Sequence, residues 1–452
     1  MYVGHSHPRA TAARRVASRP GIVLAVRAAL VLATAAALLF APDAHAHRSP
    51  ATAHAPQHRH RHHHDHWRGH QATASAQTTL GLQWFDLTRA AVAAAAQPEQ
   101  VTQNRIWAVS WIAAARAVDE HHAPAFQTAA FATALHDALV AIVPAQAPQL
   151  DAALASTLAT VPDGNAKTLG IASGRREAAQ ALAERAGDGL DTASVNVPWT
   201  PPAAAPGVYQ PTPPTFGPVV RAGLPSARSF LLHANDELRP GPPPSLTSQR
   251  YLSALAEVRA LGSATSSTRT AAQTDIANFV AQPSIEAYAQ IVRASIADAH
   301  RPLAWQARLV AAFNAIEIDQ QIAIADAKYT YVFWRPVTAI RTGAVDPDPT
   351  WTPLLATPRH PEYPSGHAGY AGTAEAVLRA LVGPRPIKPI AVTSTTDPGV
   401  THTYGRWSTP TQETVDGRVW EGVHFRFSDE AAVQVGKDVA RHDLPRLRWL
   451  GL

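Results

Sequence analysis

The chain has 452 residues, no cysteine and a hydrophobic fraction of 46%, much of it alanine. The missing cysteines exclude disulfides and thiolate metal sites, and the alanine content favours closely packed helices over sheets. The formal charge of +5 does not indicate a nucleic-acid partner, because nine arginines and two aspartates lie in residues 1–70 and leave about −2 for the remainder.

Residues 1–46 are predicted to be a secretory signal peptide. An arginine-bearing leader precedes an apolar run at 28–41 and the small triplet Ala-His-Ala at 44–46, after which cleavage is expected. The run is shorter than the roughly 20 residues of a membrane span, although an uncleaved anchor is the alternative. Arg14 and Arg15 leave open whether export follows the general or the twin-arginine route. We therefore expect an extracellular or periplasmic protein whose mature chain has no integral membrane segment.

Residues 47–78 are predicted to be a His-rich, low-complexity linker. Its histidines are densest between His58 and His66, within the tract 47–70. Such a tract can collect zinc, copper or nickel. Because no fixed geometry is implied, a disordered linker with incidental metal affinity is the favoured interpretation.

From Thr79 onward the apolar positions recur at spacings of three and four, which predicts helices. Predicted helices cover 80–96, 106–118, 126–142, 165–186, 248–261, 270–281, 285–300 and 303–333. Strand patterns are nearly absent apart from a short extended segment at 391–396. We predict one all-α domain over 79–452, built from two four-helix-type bundles. A proline-rich meander at 197–244 separates its halves, 79–200 and 245–452.

A helix is predicted to begin at the sequence Pro364-Ser365-Gly366-His367. Ser365 is a good N-cap residue, and Pro364 disfavours the helical conformation in the residue before it. A helix start offers unpaired N–H groups and the positive end of a dipole to an anion. Gly366 permits close approach of that anion, and His367 supplies a titratable ring.

Two further groups of residues complete a set of hydrogen-bond donors. Lys328 precedes Arg335 by seven residues, which places both on one face if the helix continues, although Pro336 predicts that the helix ends first. Arg418 and His424 lie before another predicted helix start at 428–430. Many donors with few carboxylates suit a tetrahedral oxyanion better than a divalent metal. Singly these residues fit structural roles, but together they predict an oxyanion site in the C-terminal bundle, with one histidine at the central atom and the other moving protons.

The order Lys-x6-Arg-Pro, Pro-Ser-Gly-His, Arg-x5-His resembles the superfamily of vanadium-dependent haloperoxidases and type-2 phosphatidic acid phosphatases. The resemblance extends from about residue 79 to the end and includes the stretches 134–139, 239–244 and 269–274, which are similar to those of secreted bacterial haloperoxidase-like members. It implies an oxyanion cage made by Lys328, Arg335, Ser365, Gly366 and Arg418. It also implies that His367 is the acid/base catalyst, and that His424 is the ligand of vanadium in vanadate or the nucleophile toward phosphorus.

Three positions depart from the pattern of that superfamily. Gly417 stands where a serine often precedes the arginine, and Glu421 stands where glycine is frequent. Ser428 occupies the position of an aspartate that orients the second histidine in many members. Asp429, the next residue, is the carboxylate that we expect to replace it. The sequence alone therefore does not identify the carboxylate that orients His424.

The resemblance implies a vanadate-dependent haloperoxidase that uses hydrogen peroxide, a halide and an organic acceptor. Vanadate would be the cofactor, with phosphate competing for its site and neither haem nor flavin required. His360 stands where bromide-oxidising members tend to have histidine and chloride-oxidising members an aromatic residue, which favours bromide. The alternative is that His360 is simply a polar residue at the border of the pocket.

Two other functions fit the sequence. The first is a secreted acid phosphatase that acts on phosphate monoesters through a phosphohistidine intermediate at His424. The second is a non-catalytic secreted protein whose His-rich tract binds metal. A homo-oligomer is compatible with each of these functions.

Overall fold

The computed structural model describes residues 61–118 and 120–452, with side chains from residue 75 onward. Its helices are α1 (Arg61–Ala95), α2 (Gln100–Ala117), α3 (Pro124–Ile142), α4 (Ala147–Ala159), α5 (Asn165–Glu184), α6 (Thr192–Val195), α7 (Gln249–Leu261), α8 (Ala271–Val280), α9 (Ser284–Ala299), α10 (Leu303–Tyr331), α11 (Pro336–Thr342), α12 (Gly366–Leu381), α13 (Ser408–Trp420) and α14 (Arg426–Asp443). Strands β1 (Ile390–Thr393) and β2 (Thr401–Tyr404) form an antiparallel hairpin. The predicted signal peptide and residues 47–60 of the predicted linker lie outside the described residues.

The all-α prediction is confirmed, and its errors lie at helix boundaries and in short helices. Helix α1 begins at Arg61, so residues 61–78, predicted as linker, are helical. Helix α14 begins at Arg426 rather than Ser428 and carries Ser428 and Asp429 inside its first turn. The pattern missed α4, α6, α11 and α13. Pro336 is the first residue of α11, where its missing N–H costs nothing.

The core is organised around α10, which is buried along most of its length. Helix α2 packs against α10, and α3 and α5 pack in turn against α2. Helices α12 and α14 also pack against α10. Alanine at many contact positions allows this close approach of helices. A single hydrophobic cluster consequently runs from α1 to α14 through α10. A smaller cluster of aromatic side chains surrounds Phe333, Phe425 and Phe427 near the end of α10.

Within the proline-rich segment 197–244 the structure places a 3-10 turn at Leu224–Ser226 and an isolated β-bridge from Val208 to Phe333. Its attachment to α10 is polar. Asp319 accepts hydrogen bonds from the backbone N–H groups of Phe230 and Leu231, each at 2.6 Å, and of Leu232 at 3.2 Å. The meander therefore passes along α10 toward the end that carries Lys328.

Among the described residues, α3 is long and apolar enough to cross a membrane. Most of that helix is buried inside the protein, where it packs against α2 and α5. Its apolar composition is therefore accounted for by the core.

Candidate functional site

Lys328 lies on the last turn of α10, and its side chain points into the protein interior. The residue is 5% exposed, and its Nζ donates to the backbone oxygens of Pro361, at 2.9 Å, and Glu362, at 2.7 Å. Burial and the neighbouring Arg335 lower its pKa well below the usual value. Helix α10 stops just beyond it, because Val332 adopts the left-handed conformation with φ of 46°. Arg335 lies outside α10, so the helix ends before it, as Pro336 predicts, and the two cations do not share a helix face.

Arg335 is fully buried at the N-cap position of α11 and uses its whole guanidinium group. Nε donates to the His360 oxygen at 3.0 Å, and Nη1 donates to the Val423 oxygen at 2.9 Å. Nη1 also lies 3.2 Å from Nε2 of His424, and Nη2 lies 3.1 Å from Nδ1 of His360. The turn after α10 thus brings this cation against both histidines instead of against Lys328.

The start of α12 confirms the predicted helix start. Ser365 is the N-cap residue, and its Oγ accepts a hydrogen bond from Ala368 N at 3.5 Å. A side chain placed on Gly366 would meet no atom within 4 Å, so the space beside this glycine is open. Lys328, His360 and Gly366 line the cavity that occupies this space. The helix start, a primary amine and an imidazole therefore face one volume.

His367 lies on the first turn of α12, and its Nε2 is 3.3 Å from the backbone oxygen of Gln282. A carbonyl oxygen accepts hydrogen bonds only, so this contact puts the proton on Nε2 and leaves Nδ1 as a proton acceptor. Burial and the charge of Arg418 lower the pKa of His367 well below its usual value. The ring is therefore neutral and able to accept a proton.

Arg418 is buried on α13 and forms an ion pair with Glu421, with Nη1 2.5 Å from Oε2. Burial raises the pKa of Glu421 to about 7, even though Arg418 opposes the shift. Glu421 is one of the departures from the family pattern noted above. In this chain an anion that binds Arg418 must therefore compete with the protein's own carboxylate.

His424 is buried between a carboxylate and a guanidinium group. Its Nδ1 lies 2.7 Å from Oε1 of Glu362, which also accepts the N–H of Phe425 at 3.1 Å. Burial, with Arg335 and Lys328 nearby, lowers the pKa of His424 well below its usual value. The neutral ring then donates from Nδ1 to Glu362 and keeps the lone pair of Nε2 on the Arg335 side.

The expectation that Asp429 orients His424 is wrong, because Glu362 makes that contact. Asp429 is fully buried in the first turn of α14, and burial raises its pKa well above the usual value. Glu362 belongs to the loop before Pro364, and its N–H donates to the Phe333 oxygen at 2.9 Å. The sequence could have indicated Glu362 as a site residue, because it directly precedes the Tyr-Pro-Ser-Gly-His run that was already assigned to the site.

The predicted residues therefore converge from three segments. Arg335 contacts His360 and His424, while Lys328 contacts the backbone at 361 and 362 and shares a cavity with His360 and Gly366. His367 borders a second cavity with Gln282 and Tyr404. Within the described residues, no three His, Asp or Glu side chains are grouped as ligands for a metal ion. The donor set suits an oxyanion held by cations and by one imidazole lone pair.

Comparisons with known proteins agree with this fold. Residues 308–449 match the family model of the VCPO second helical-bundle domain. A bacterial vanadium-dependent iodoperoxidase superposes with a TM-score of 0.66 at 18% identity, over 82% of this chain and 95% of that one. Apo and holo bacterial vanadium-dependent chloroperoxidases each give a TM-score of 0.57, at 18% and 16% identity. The apo match covers 77% of this chain and 95% of that one, and the holo match 81% and 93%. No curated protein sequence matches the chain.

The resemblance inferred from the three motifs is thus confirmed as a likeness to the vanadium haloperoxidase family. The matched segment, 308–449, begins in α10 and contains every residue predicted for the site. At 16 to 18% identity, the structural matches establish the fold, and the chemistry of the site has to be argued from its own residues.

Proposed function

We propose that this chain, whose residues 308–449 match a VCPO second helical-bundle domain, is a vanadate-dependent haloperoxidase. It would oxidise a halide, bromide in preference to chloride, with hydrogen peroxide, and pass the oxidised halogen to an organic acceptor. The observation that carries this proposal is the state of His424. Its Nε2 lone pair lies among buried cations while Glu362 holds Nδ1 at 2.7 Å.

The residues present fit vanadate. Lys328, Arg335 and Arg418 would hold its oxygens together with the Ser365 hydroxyl and the Gly366 N–H, and His424 Nε2 would bind the vanadium. When bound, the group supplies Lewis-acid activation of peroxide without a change of its own oxidation state. Glu421 is the residue that fits least well, because its carboxylate pairs with Arg418 at 2.5 Å.

The two histidines take different parts. We assign His424 to the central atom because its outer nitrogen is fixed by a carboxylate, an arrangement that sets the tautomer and raises ligand basicity. We assign His367 to proton transfer, because its contact with the Gln282 oxygen leaves Nδ1 free to take a proton from incoming peroxide and return it. His360 contacts Arg335 and borders the cavity, which supports a role in halide preference.

The alternative is a phosphatase that uses the same cage. His367 would first take up a proton at Nδ1. His424 Nε2 would then attack phosphorus to give a phosphohistidine while His367 donates that proton to the leaving alcohol, and water would release phosphate from His424. The carboxylate–imidazole pair at 2.7 Å favours a nucleophile as readily as a ligand. Phosphate and vanadate have nearly the same shape, so the two functions have to be separated by assay.

The test uses the full chain in two assays: bromide oxidation by hydrogen peroxide, with and without added orthovanadate, and hydrolysis of a phosphate monoester. We expect oxidation that depends on vanadate and is inhibited by phosphate. Hydrolysis that vanadate inhibits, without any vanadate-stimulated halogenation, would overturn the haloperoxidase proposal and support the phosphatase.

Deletion of residues 47–70 tests the non-catalytic alternative, because the whole His-rich tract would be lost. If metal binding by that tract is the function, the deletion abolishes it and His424→Ala changes nothing. We expect the reverse, with activity lost in His424→Ala and retained in the deletion variant. Secretion also stays a proposal, carried by the leader in residues 1–46; secretion of a reporter fused to that leader is its test.

A further inference from the structure

A cavity of about 530 Å³ lies between the meander and α11, and none of the residues assigned to the cage lines it. Its volume is within the range of roughly 300 to 1,000 Å³ that is usual for pockets that bind small molecules. Much of its wall is apolar, formed by Val208, Pro211, Pro213, Phe216, Trp334 and Val337. Among the described residues of its lining, Arg341 alone carries a charge.

The cavity and the cage are built on the same short segment after α10. Backbone hydrogen bonds tie the meander to this segment, from Tyr209 N–H to Val332 O at 2.8 Å and from Trp334 N–H to Gly207 O at 3.0 Å. Trp334 lines the cavity, and the next residue, Arg335, contacts both His360 and His424. The wall of the cavity is therefore formed by the fold itself and lies beside the cage.

Phe216 lines the cavity in a conformation that is unusual for a bulky residue. Its φ of 47° lies in the left-handed region, which costs on the order of 1 kcal/mol for a residue other than glycine. Its N–H donates to Thr212 O at 3.0 Å, and the residue is 63% exposed. Burial within the fold therefore does not account for the position of this ring. An apolar ligand that packs on the ring would bury it.

Arg341 supplies a second, independent observation. Its Nε donates to Trp351 O at 2.7 Å, and among the described residues neither of its Nη groups has an acceptor. The guanidinium group is thus anchored at one nitrogen and has two others available. Guanidinium groups bind carboxylates through paired hydrogen bonds. A single cation on an otherwise apolar wall fits a ligand with an apolar body and one carboxylate.

We propose that this cavity binds the organic acceptor, and that the acceptor is an electron-rich aromatic carboxylic acid. Its ring packs against Phe216 and Trp334, and its carboxylate pairs with the Arg341 Nη groups. This inference rests on the proposed haloperoxidase function, which supplies hypobromous acid. In the transfer step a ring carbon forms a bond to bromine while the O–Br bond breaks. The ring proton and the hydroxide then leave together as water.

The experiment measures binding to the full chain by isothermal titration, without peroxide or halide. The ligands are 6-hydroxy-2-naphthoate and 2-naphthol, which has a similar ring system and no carboxylate. Arg341→Gln should weaken naphthoate binding about tenfold, equivalent to about 1.4 kcal/mol, and naphthol binding by less than about twofold. Phe216→Ala should weaken binding of both ligands about fivefold, because both pack on the ring.

Two variants control for these substitutions. Arg259→Gln removes another arginine that donates to a backbone oxygen, Val345 O at 2.8 Å, but does not line the cavity. Ile387→Ala removes another exposed apolar side chain, 55% exposed and also outside the cavity. Both variants should bind the two ligands as the wild type does. No naphthoate binding by the wild type, or the same affinity in Arg341→Gln as in the wild type, would overturn the site.

Turnover separates this inference from the proposed function. With vanadate, bromide and peroxide, the wild type should brominate the naphthoate with a lower KM than the naphthol. Arg341→Gln should abolish that preference and leave bromide oxidation without an acceptor unchanged. If the wild type does not oxidise bromide, the proposed function fails, and the binding measurement alone decides the site.

Bromide oxidation by a chain that does not bind the naphthoate keeps the function and overturns the site. Sedimentation velocity tests the other occupant of such a surface, a second copy of the chain. A wild-type dimer that Phe216→Ala dissociates would assign the cavity to a subunit interface and overturn the acceptor site. An unchanged association state in Phe216→Ala, together with weaker naphthoate binding, supports it.

Discussion

Glu362 accepts the Nδ1–H of His424 at 2.7 Å, although the two residues are 62 positions apart in the chain. The carboxylate is itself fully buried, and burial raises its pKa to about 7, while Arg335 and Lys328 oppose the shift. A charge in such surroundings is costly unless it is paired. The contact therefore fixes the orientation of the His424 ring. The neighbouring Arg335 and Lys328 offset the free-energy cost of burying the Glu362 charge.

Replacing Glu362 by Gln should lower activity and vanadate affinity by roughly 10- to 100-fold, the range found for residues that orient a metal-binding histidine. Glutamine preserves the shape and can still accept a hydrogen bond, but it removes the negative charge that raises the basicity of Nε2. Steady-state kinetics with a vanadate titration gives both quantities. Asp429→Asn is the matched control and should have a much smaller effect. An equal loss in Asp429→Asn would return the orienting role to the residue that the family pattern suggests.

The Glu421–Arg418 pair predicts a pH effect on anion binding. The pKa of Glu421 is raised to about 7, so its carboxylate is neutral below that pH and competes for Arg418 above it. Glu421→Gln should therefore increase vanadate affinity several-fold at pH 8.5 and change it little at pH 5.5. Comparing variant and wild type at each pH cancels the titration of vanadate itself.

Isothermal titration of both proteins at the two pH values measures this effect. Glu375→Gln, a buried acid on α12 that pairs with Lys437 at 3.0 Å, controls for the loss of a buried carboxylate elsewhere. The same affinity ratio at both pH values would show that Glu421 does not titrate against the anion.

The sequence was sufficient to predict the helices and the three motif segments, because both depend on local spacing. Apolar periodicity located α10, and the N-cap chemistry of Ser365 located the start of α12. It was insufficient for Glu362 and Glu421, whose roles depend on which distant atoms the fold brings beside them. The Asp429 prediction failed for the same reason. A spacing of four or five residues after His424 says nothing about a carboxylate that arrives from the loop before α12.

The hydrogen bonds of Asp319 predict how much the attachment of the meander to α10 contributes to the free energy of unfolding. Its carboxylate accepts three backbone N–H groups from residues 230 to 232 within a buried environment. Asp319→Ala leaves these donors without a partner, so we expect a loss of about 3 kcal/mol or more in the free energy of unfolding. Urea denaturation measures it.

The control for Asp319 is Asp326→Asn, which weakens the partly exposed pair with Arg239 at the same helix. That pair should contribute only about 0 to 1 kcal/mol. If Asp319→Ala cost no more than Asp326→Asn, the meander would be held mainly by its prolines and apolar contacts.

His402 predicts a pH-dependent contribution to stability at the hairpin. The ring stacks on Phe279 at 3.8 Å between centroids, with Nδ1 2.9 Å from Glu413 and Nε2 3.1 Å from Asp275. Burial lowers the pKa of His402, but the hydrogen bonds to the two carboxylates outweigh it, and the net pKa is raised above 6.5. The folded state then binds the proton more tightly than the unfolded state.

The stabilisation from this proton is fully present below pH 6.5 and is lost as the pH rises through the raised pKa of His402. His402→Gln should therefore reduce the free energy of unfolding more at pH 5.5 than at pH 9, with a difference of up to about 1 kcal/mol for partly exposed ion pairs. Urea denaturation at the two pH values measures this difference. Asp275→Asn should reproduce part of it, because it removes one of the two acceptors. A loss of the same size at both pH values would mean that His402 stabilises the hairpin by packing on Phe279 and not by its charge.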